Sequence, residues 1–160
     1  MDGIDVRVTH APSADAVAQV EQGLAAFNRR SADIDDSMPL GVFAHRDEVL
    51  LGGATGYSQW GWLFIEYLWV AEPVRGRGLG ATLLARSEAA GRERGCVAIW
   101  LDTFSFQAPA FYERFGFRQF GQLDGYPPGG ARHFLWKPLA SDVAGRPRVT
   151  VPSEDAPRTA

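Results

Sequence analysis

Cysteine is nearly missing from this chain of 160 residues. Cys96 stands alone, which excludes an intramolecular disulfide, a Cys-rich zinc site and a CxxC redox pair. Lysine is equally scarce: of the 16 basic residues, 15 are arginine and one, Lys137, is lysine. Any mechanism that needs a catalytic or phosphate-gripping lysine must therefore use Lys137. No stretch approaches the ~18 consecutive apolar residues of a membrane span, and residues 1–7 lack the basic start and apolar run of a signal peptide. The expectation is a protein of a reduced, cytoplasmic compartment with no membrane partner. A basic excess is absent too, since the formal net charge is −3, which argues against a nucleic-acid partner. His45 and His133 have no spacing that suggests a metal site, so no metal is expected.

What is present is ordinary globular material, 46% apolar and 22% charged, in a length that supports one sizeable core. Residues 141–160 contain three prolines, no aromatic residue and balanced charge, a composition that cannot offset its ordering entropy and reads as a flexible tail. The folded domain is then residues 3–139. Within it, residues 4–9 alternate apolar and polar as a strand does. Ser13 is placed to cap a helix whose Val17, Val20, Leu24 and Phe27 share one face. Residues 28–38 are polar and loop-like, and residues 40–44 and 49–56 flank a hairpin turn. Residues 62–70 form an apolar run broken by one acid, Glu66, and predict a central strand. A helix over residues 79–90, a strand over 97–101, a short helix over 108–114 and two final strands over 117–123 and 133–139 complete the order β-α-β-β-β-α-β-α-β-β. Hairpins mixed with helical crossovers predict a single-domain, mixed α/β fold: a twisted mixed sheet with helices on both faces.

The most informative segment follows the central strand: Val70-Ala-Glu-Pro-Val-Arg75-Gly-Arg-Gly78-Leu-Gly80. A strand ends, a turn dense in glycine follows, and a helix begins at once. Such a turn lets the backbone approach a ligand closely, and the free N–H groups of the helix start bind anions. Residues 75–94 carry five arginines against two glutamates, a local charge of +3 on an acidic chain. A Walker A loop is excluded because it ends in Gly-Lys-Ser/Thr. A dinucleotide fingerprint fits poorly: Asp102 follows Gly80 by 22 residues, near the ~20 expected of a ribose-binding acid, but the glycines are spaced G-x-G-x-G instead of G-x-G-x-x-G.

Arg75-x-x-Gly78-x-Gly80 is similar to the Q/R-x-x-G-x-G/A signature of the GNAT superfamily of N-acetyltransferases. Downstream, Ala108-x-x-Phe111-Tyr112-Glu-Arg-Phe-Gly116-Phe117 resembles that family's A-x-x-x-Y-E-K-x-G-F segment. The likeness is specific over residues 66–123 and loose before them. It implies that acetyl-CoA is the co-substrate, with its pyrophosphate cradled by Arg75, Gly76, Arg77, Gly78, Leu79 and Gly80. It implies that the pantetheine arm pairs like an extra strand with Leu68, Trp69 and Val70, through main-chain hydrogen bonds. It implies, finally, that the sheet splays open after Val70 to admit the arm.

An amine attacking a thioester must lose a proton, and the departing thiolate gains from a donor. Tyr112 matches the family position that supplies this donor; otherwise it is a packing tyrosine beside Phe111 and Phe115. Glu66 is the candidate water-mediated base. By period two it shares a face with Phe64, Leu68 and Val70, where a carboxylate is costly unless it reaches water or does chemistry. Asp102 is the alternative base or amine anchor. Many relatives carry Asn seven residues before the tyrosine, contacting pantetheine; here that position is Ser105, and Gln107 is a possible substitute. The acceptor side is expected to involve residues 28–38, with Asp33, Asp35 and Asp36, together with residues 57–62 and 126–131. Trp60, Trp62 and Trp69 form either an aromatic pocket or core. The resemblance implies a small-molecule or peptide amine as acceptor, and a homodimer is common in the family. The rival reading is a GNAT fold that holds an acyl-CoA as a sensor or scaffold without turnover.

Overall fold

The computed structural model describes residues 3–32 and 37–140. By its contacts the chain divides into an N-terminal unit, to which residues 3–32 belong, and a second unit that includes residues 37–140. The expected tail, residues 141–160, and the acids Asp33, Asp35 and Asp36 lie outside the described residues.

In the N-terminal unit, helix α1 spans Ala14–Ala32. Ser13 caps it as expected, its hydroxyl accepting the Ala16 N–H at 3.2 Å. The helix runs four residues past position 28, so the predicted loop is shorter than its polar composition suggested. The predicted strand over residues 4–9 does not form: those residues are irregular and join no ladder. Period-two alternation describes a surface that suits a sheet, but a strand exists only where a neighbour takes up its N–H and C=O groups.

The second unit is built on a six-stranded sheet: β1 (Met38–Arg46), β2 (Val49–Gln59), β3 (Trp62–Val70), β4 (Ala98–Phe104), β5 (Arg118–Asp124) and β6 (Ala131–Pro138), in the order β1-β2-β3-β4-β6-β5. Only β3 and β4 pair in parallel, so the sheet is mixed. Helix α2 (Leu79–Glu93) joins β3 to β4, and α3 (Pro109–Arg114) joins β4 to β5. Strand β5 runs parallel to β4, because both are antiparallel to β6. Two right-handed crossovers progressing in one direction across a sheet put both helices on the same face. Side-chain contacts agree: Phe111 of α3 lies against Gly80 of α2.

Leu63, Ile65, Leu84, Ile99, Leu101 and Leu135 form the core on that face, joined by Tyr112 and Phe117. The opposite face of the sheet carries an aromatic row in which Phe64 stacks on Trp100 with ring centroids 4.2 Å apart. Lys137 reaches α2 from β6 and donates to both carboxylate oxygens of buried Glu88, each at 2.8 Å. The one lysine of the chain is thus a structural strut between sheet and helix.

Candidate active site

Register creates the site. Strands β3 and β4 pair from Trp62↔Ala98 to Ile65↔Leu101 and then part, although both continue. The opening therefore starts at Glu66, four residues before the point expected at Val70. A bulge accounts for it. In the β2–β3 ladder Thr55 faces Tyr67 while Gly56 faces Ile65, which leaves Glu66 as the extra residue. Gly56 is needed opposite, since a Cβ there would sit 1.9 Å from the Phe64 carbonyl oxygen.

The bulge also corrects the expected facing of Glu66. Leu63 and Ile65 point into the core, and after the bulge Leu68 takes up that direction, packed against the same cluster. Period two is interrupted between them, so Glu66 does not share an apolar face with Phe64, Leu68 and Val70. It is exposed at the mouth of the opening, where water solvates the carboxylate.

The splay holds a cleft of about 850 Å³. One wall is β3 from Glu66 to Val70, whose edge towards β4 has no strand partner. The floor is the turn with Arg75, Gly76, Gly78, Leu79 and Gly80, and the far wall carries Asp102, Gln107 and Tyr112. Most of the residues singled out from sequence thus meet in one cavity.

The turn is shaped for an anion. Gly76 and Gly78 have φ of +71° and +83°, the left-handed region that favours glycine, and no heavy atom lies within 4 Å of where either Cβ would stand. Gly78 is the N-cap of α2 and no side chain caps the helix start, so its first N–H groups remain available to a ligand. Arg75 lines the cleft and ties the turn to the strand end, its Nε donating to the Val70 carbonyl at 2.9 Å. Arg77 is not among the lining residues.

The local charge of +3 needs correcting. Arg92 holds Glu88 and the Leu139 carbonyl, while Arg94 holds Ser58 and the carbonyls of Met38 and Pro39. Both sit at the far end of a helix ~22 Å long and serve packing.

Tyr112 is buried in the core at its ring, with Phe111 and Phe117 as edge-on neighbours, and also lines the cleft. Burial, and secondarily the Asp102 charge, push its hydroxyl above the usual tyrosine value of 10.0, so the phenol keeps its proton. Asp102 is not free. Arg132 grips it with two parallel bonds, Nε to Oδ1 and Nη2 to Oδ2, both 2.7 Å. Glu66 has no ion-pair partner among the described residues.

Ser105 lies outside the cleft lining, and its hydroxyl is committed to Ala131, accepting its N–H at 2.6 Å and donating to its carbonyl at 2.9 Å. Gln107 does line the cleft. Its Oε1 accepts from Thr103 Oγ1 at 3.1 Å and from the Phe104 N–H at 2.9 Å, which fixes the amide.

Two groups expected on the acceptor side are not gathered at the cleft. Residues 57–62 form the β2–β3 hairpin end and do not line the cleft; Trp62 lies roughly 13 Å along β3 from Glu66 by strand rise. Trp60, Trp62 and Trp69 do not converge: Trp62 packs on Trp136 at 6.0 Å, Trp60 sits in the hairpin turn, and Trp69 lies on the cleft wall. Sequence reading missed Arg114, which lines the cleft and whose place two residues after Tyr112 was a usable signal. It also missed Arg132, which no local signal marks because the β4–β6 register makes its pairing. Among the described residues no group of three His, Cys, Asp or Glu side chains could hold a metal, and no helix is long and apolar enough to cross a membrane.

Residues 10–117 match the Acetyltransferase (GNAT) family. The chain is 43% identical over 116 residues to the blasticidin-S acetyltransferase of Streptomyces morookaense, covering 69% of this chain and 85% of that one. It is 33% identical over 124 residues to an acetyltransferase of Agrobacterium fabrum, covering 77% and 89%. A crystal structure of an acetyltransferase from Bacillus cereus superposes with a TM-score of 0.70 at 30% identity, over 82% of this chain and 97% of that one. A splayed mixed sheet, an uncapped glycine turn at the opening and a match across most of the chain lead to one assignment: the chain belongs to the GNAT family of acetyltransferases.

Proposed function

We propose that the cleft binds acetyl-coenzyme A and that the protein passes the acetyl group to a primary amine of a small molecule. The supporting observation is that one cavity combines a turn with free N–H groups, an unpaired strand edge and a buried, protonated tyrosine. The residues suit the co-substrate by chemistry. The turn from Arg75 to Gly80 offers N–H donors and a guanidinium to a pyrophosphate. Leu68, Trp69 and Val70 offer backbone donors and acceptors to an amide-bearing arm. Gln107, in place of Ser105, offers its side-chain amide to the same arm.

The thioester supplies the acetyl group when bound. The amine nitrogen forms a bond to the carbonyl carbon as the carbon–sulfur bond breaks. Glu66, through water, takes the proton that the amine sheds, and Tyr112 gives its hydroxyl proton to the leaving sulfur; the products are an amide and a free thiol. Glu66 is preferred to Asp102 as base because it is solvated and unpaired, whereas both oxygens of Asp102 are engaged. We assign this activity to a domain of residues 3–139, working in the cytoplasm.

The relative named for blasticidin S makes that compound the first acceptor to try, ahead of simple amines and peptides. Thiol release from acetyl-coenzyme A is measured across this panel for the parent and Tyr112→Phe. The expected loss is about 10²-fold in kcat with little change in KM for acetyl-coenzyme A. Turnover unchanged by the substitution would remove Tyr112 as donor. Tight coenzyme A binding with no turnover on any amine would leave the sensor reading, and affinity for NAD but not coenzyme A would overturn both.

A further inference from the structure

Among the described residues, four charged side chains line the cleft, and they are sorted by sign. The acids Glu66 and Asp102 stand on the two strands of the splay, while the cations Arg75 and Arg114 come from the glycine turn and the end of α3. We propose that Arg114 binds the 3′-phosphate of coenzyme A and so forms a second anion site, separate from the pyrophosphate turn. This rests on the reading of the cleft as the coenzyme A site.

Helix geometry places the residue. The Phe111 ring lies against Gly80 in the first turn of α2, with a ring carbon 3.5 Å from where a Gly80 Cβ would stand. Arg114 comes three residues later in α3, hence on the same side of the helix and roughly 5 Å further along it. It therefore flanks the start of α2 without being part of the glycine turn. Phe115 packs on Phe111 with ring centroids 4.9 Å apart, which steadies this end of α3. The Arg114 side chain is exposed, and among the described residues no ion pair, hydrogen bond or ring contact engages its guanidinium. The other arginines are placed differently. Arg77 and Arg86 do not line the cleft, Arg92 and Arg94 serve packing at the far end of α2, and Arg132 is bound to Asp102.

The ligand has a matching pair of anions. Coenzyme A carries charge at its pyrophosphate and again at a phosphate monoester on its ribose. The turn answers the first with the N–H groups of α2 and with Arg75, whose Nε is held by the Val70 carbonyl. Arg114 sits on another element and is not needed to complete that set. A phosphate monoester has a charge near −2 at neutral pH, and a planar guanidinium can meet two of its oxygens at once. Arg114 gives up no internal bond to do so, and its acidic neighbour Glu113 does not line the cleft.

The test is isothermal titration of the full chain with coenzyme A and with 3′-dephospho-coenzyme A, for the parent, Arg114→Gln, Arg114→Lys and Arg75→Gln. The parent should prefer coenzyme A by about tenfold, the effect of one charge-assisted contact. In Arg114→Gln coenzyme A should bind about tenfold more weakly and the dephospho form as before, so the preference disappears. Arg114→Lys keeps the charge without the fork and should retain part of the preference. Arg75→Gln should weaken both ligands alike, because both contain the pyrophosphate. Melting curves establish that each variant is folded at the titration temperature. Equal weakening of both ligands in Arg114→Gln, or no change in either, overturns the assignment. A parent that binds the two ligands equally well also overturns it, and leaves the coenzyme A reading of the cleft standing. A parent that binds neither ligand removes that reading and this proposal with it.

Discussion

Glu66 owes its position to one residue too many in a ladder, and the role of base proposed for it rests on the exposure that this creates. Replacing it by Gln keeps size and hydrogen bonding and removes the basic lone pair. In Glu66→Gln the rate of thiol release should fall about 10²-fold at neutral pH, with coenzyme A affinity retained. Tyr112 carries a different expectation. Its hydroxyl is held above 10.0, so the donor form should persist to higher pH than an ordinary tyrosine allows. The folded chain holds this proton longer than the unfolded one, so the contribution is fully present below about pH 10. It is lost as the pH rises through the raised value, which urea unfolding at a series of alkaline pH values would register. The resemblance pointed to both residues, but not to their surroundings. Alternation placed Glu66 on an apolar face because a bulge leaves no mark in composition, and the grip of Arg132 on Asp102 depends on a pairing 30 residues away.

At the scale of elements, the segments that form regular ladders or helices were legible, and the interruptions were not. The central strand matches its apolar run from end to end, since a strand buried between neighbours needs no other signal. Strand β4 was read as ending at residue 101 but continues to Phe104, because beyond Leu101 it follows β6 after leaving β3. Two glycines set the opening. Gly56 lies opposite the bulge, and a Cβ there would meet backbone, which cannot yield as a side chain can. Gly56→Ala should cost about 2–4 kcal/mol in denaturant unfolding. It should also raise KM for acetyl-coenzyme A, because relief of the clash reshapes the strand that walls the cleft. Gly78→Ala meets no neighbour but must hold a left-handed conformation at the helix start, which costs roughly 1 kcal/mol. Its effect should fall on coenzyme A binding more than on stability, which isothermal titration and melting curves separate.

For the whole molecule, an acidic net charge is compatible with the proposed binding of a pyrophosphate at the glycine turn, where Arg75 lines the cleft. Coenzyme A at a hundred times its Kd should stabilise the fold by about 2.7 kcal/mol, seen as a rise of several degrees in melting temperature. That rise should shrink with added salt if the turn and Arg75 carry the binding. The Glu88–Lys137 strut bears on stability as well: Lys137→Met leaves a carboxylate only 7% exposed with Arg92 as its one partner, and a loss of about 2–3 kcal/mol is expected from denaturant midpoints. The same strut has a consequence for the chemistry. An enzyme that handles an activated acetyl group risks modifying its own amines, and every exposed lysine competes with the intended acceptor. Here the only ε-amine of the chain is engaged by two carboxylate oxygens under the sheet, and every other basic side chain apart from three histidines is a guanidinium. The chain thus offers an activated acetyl group a single lysine target, and acetyl-lysine formed on it would have to be at Lys137.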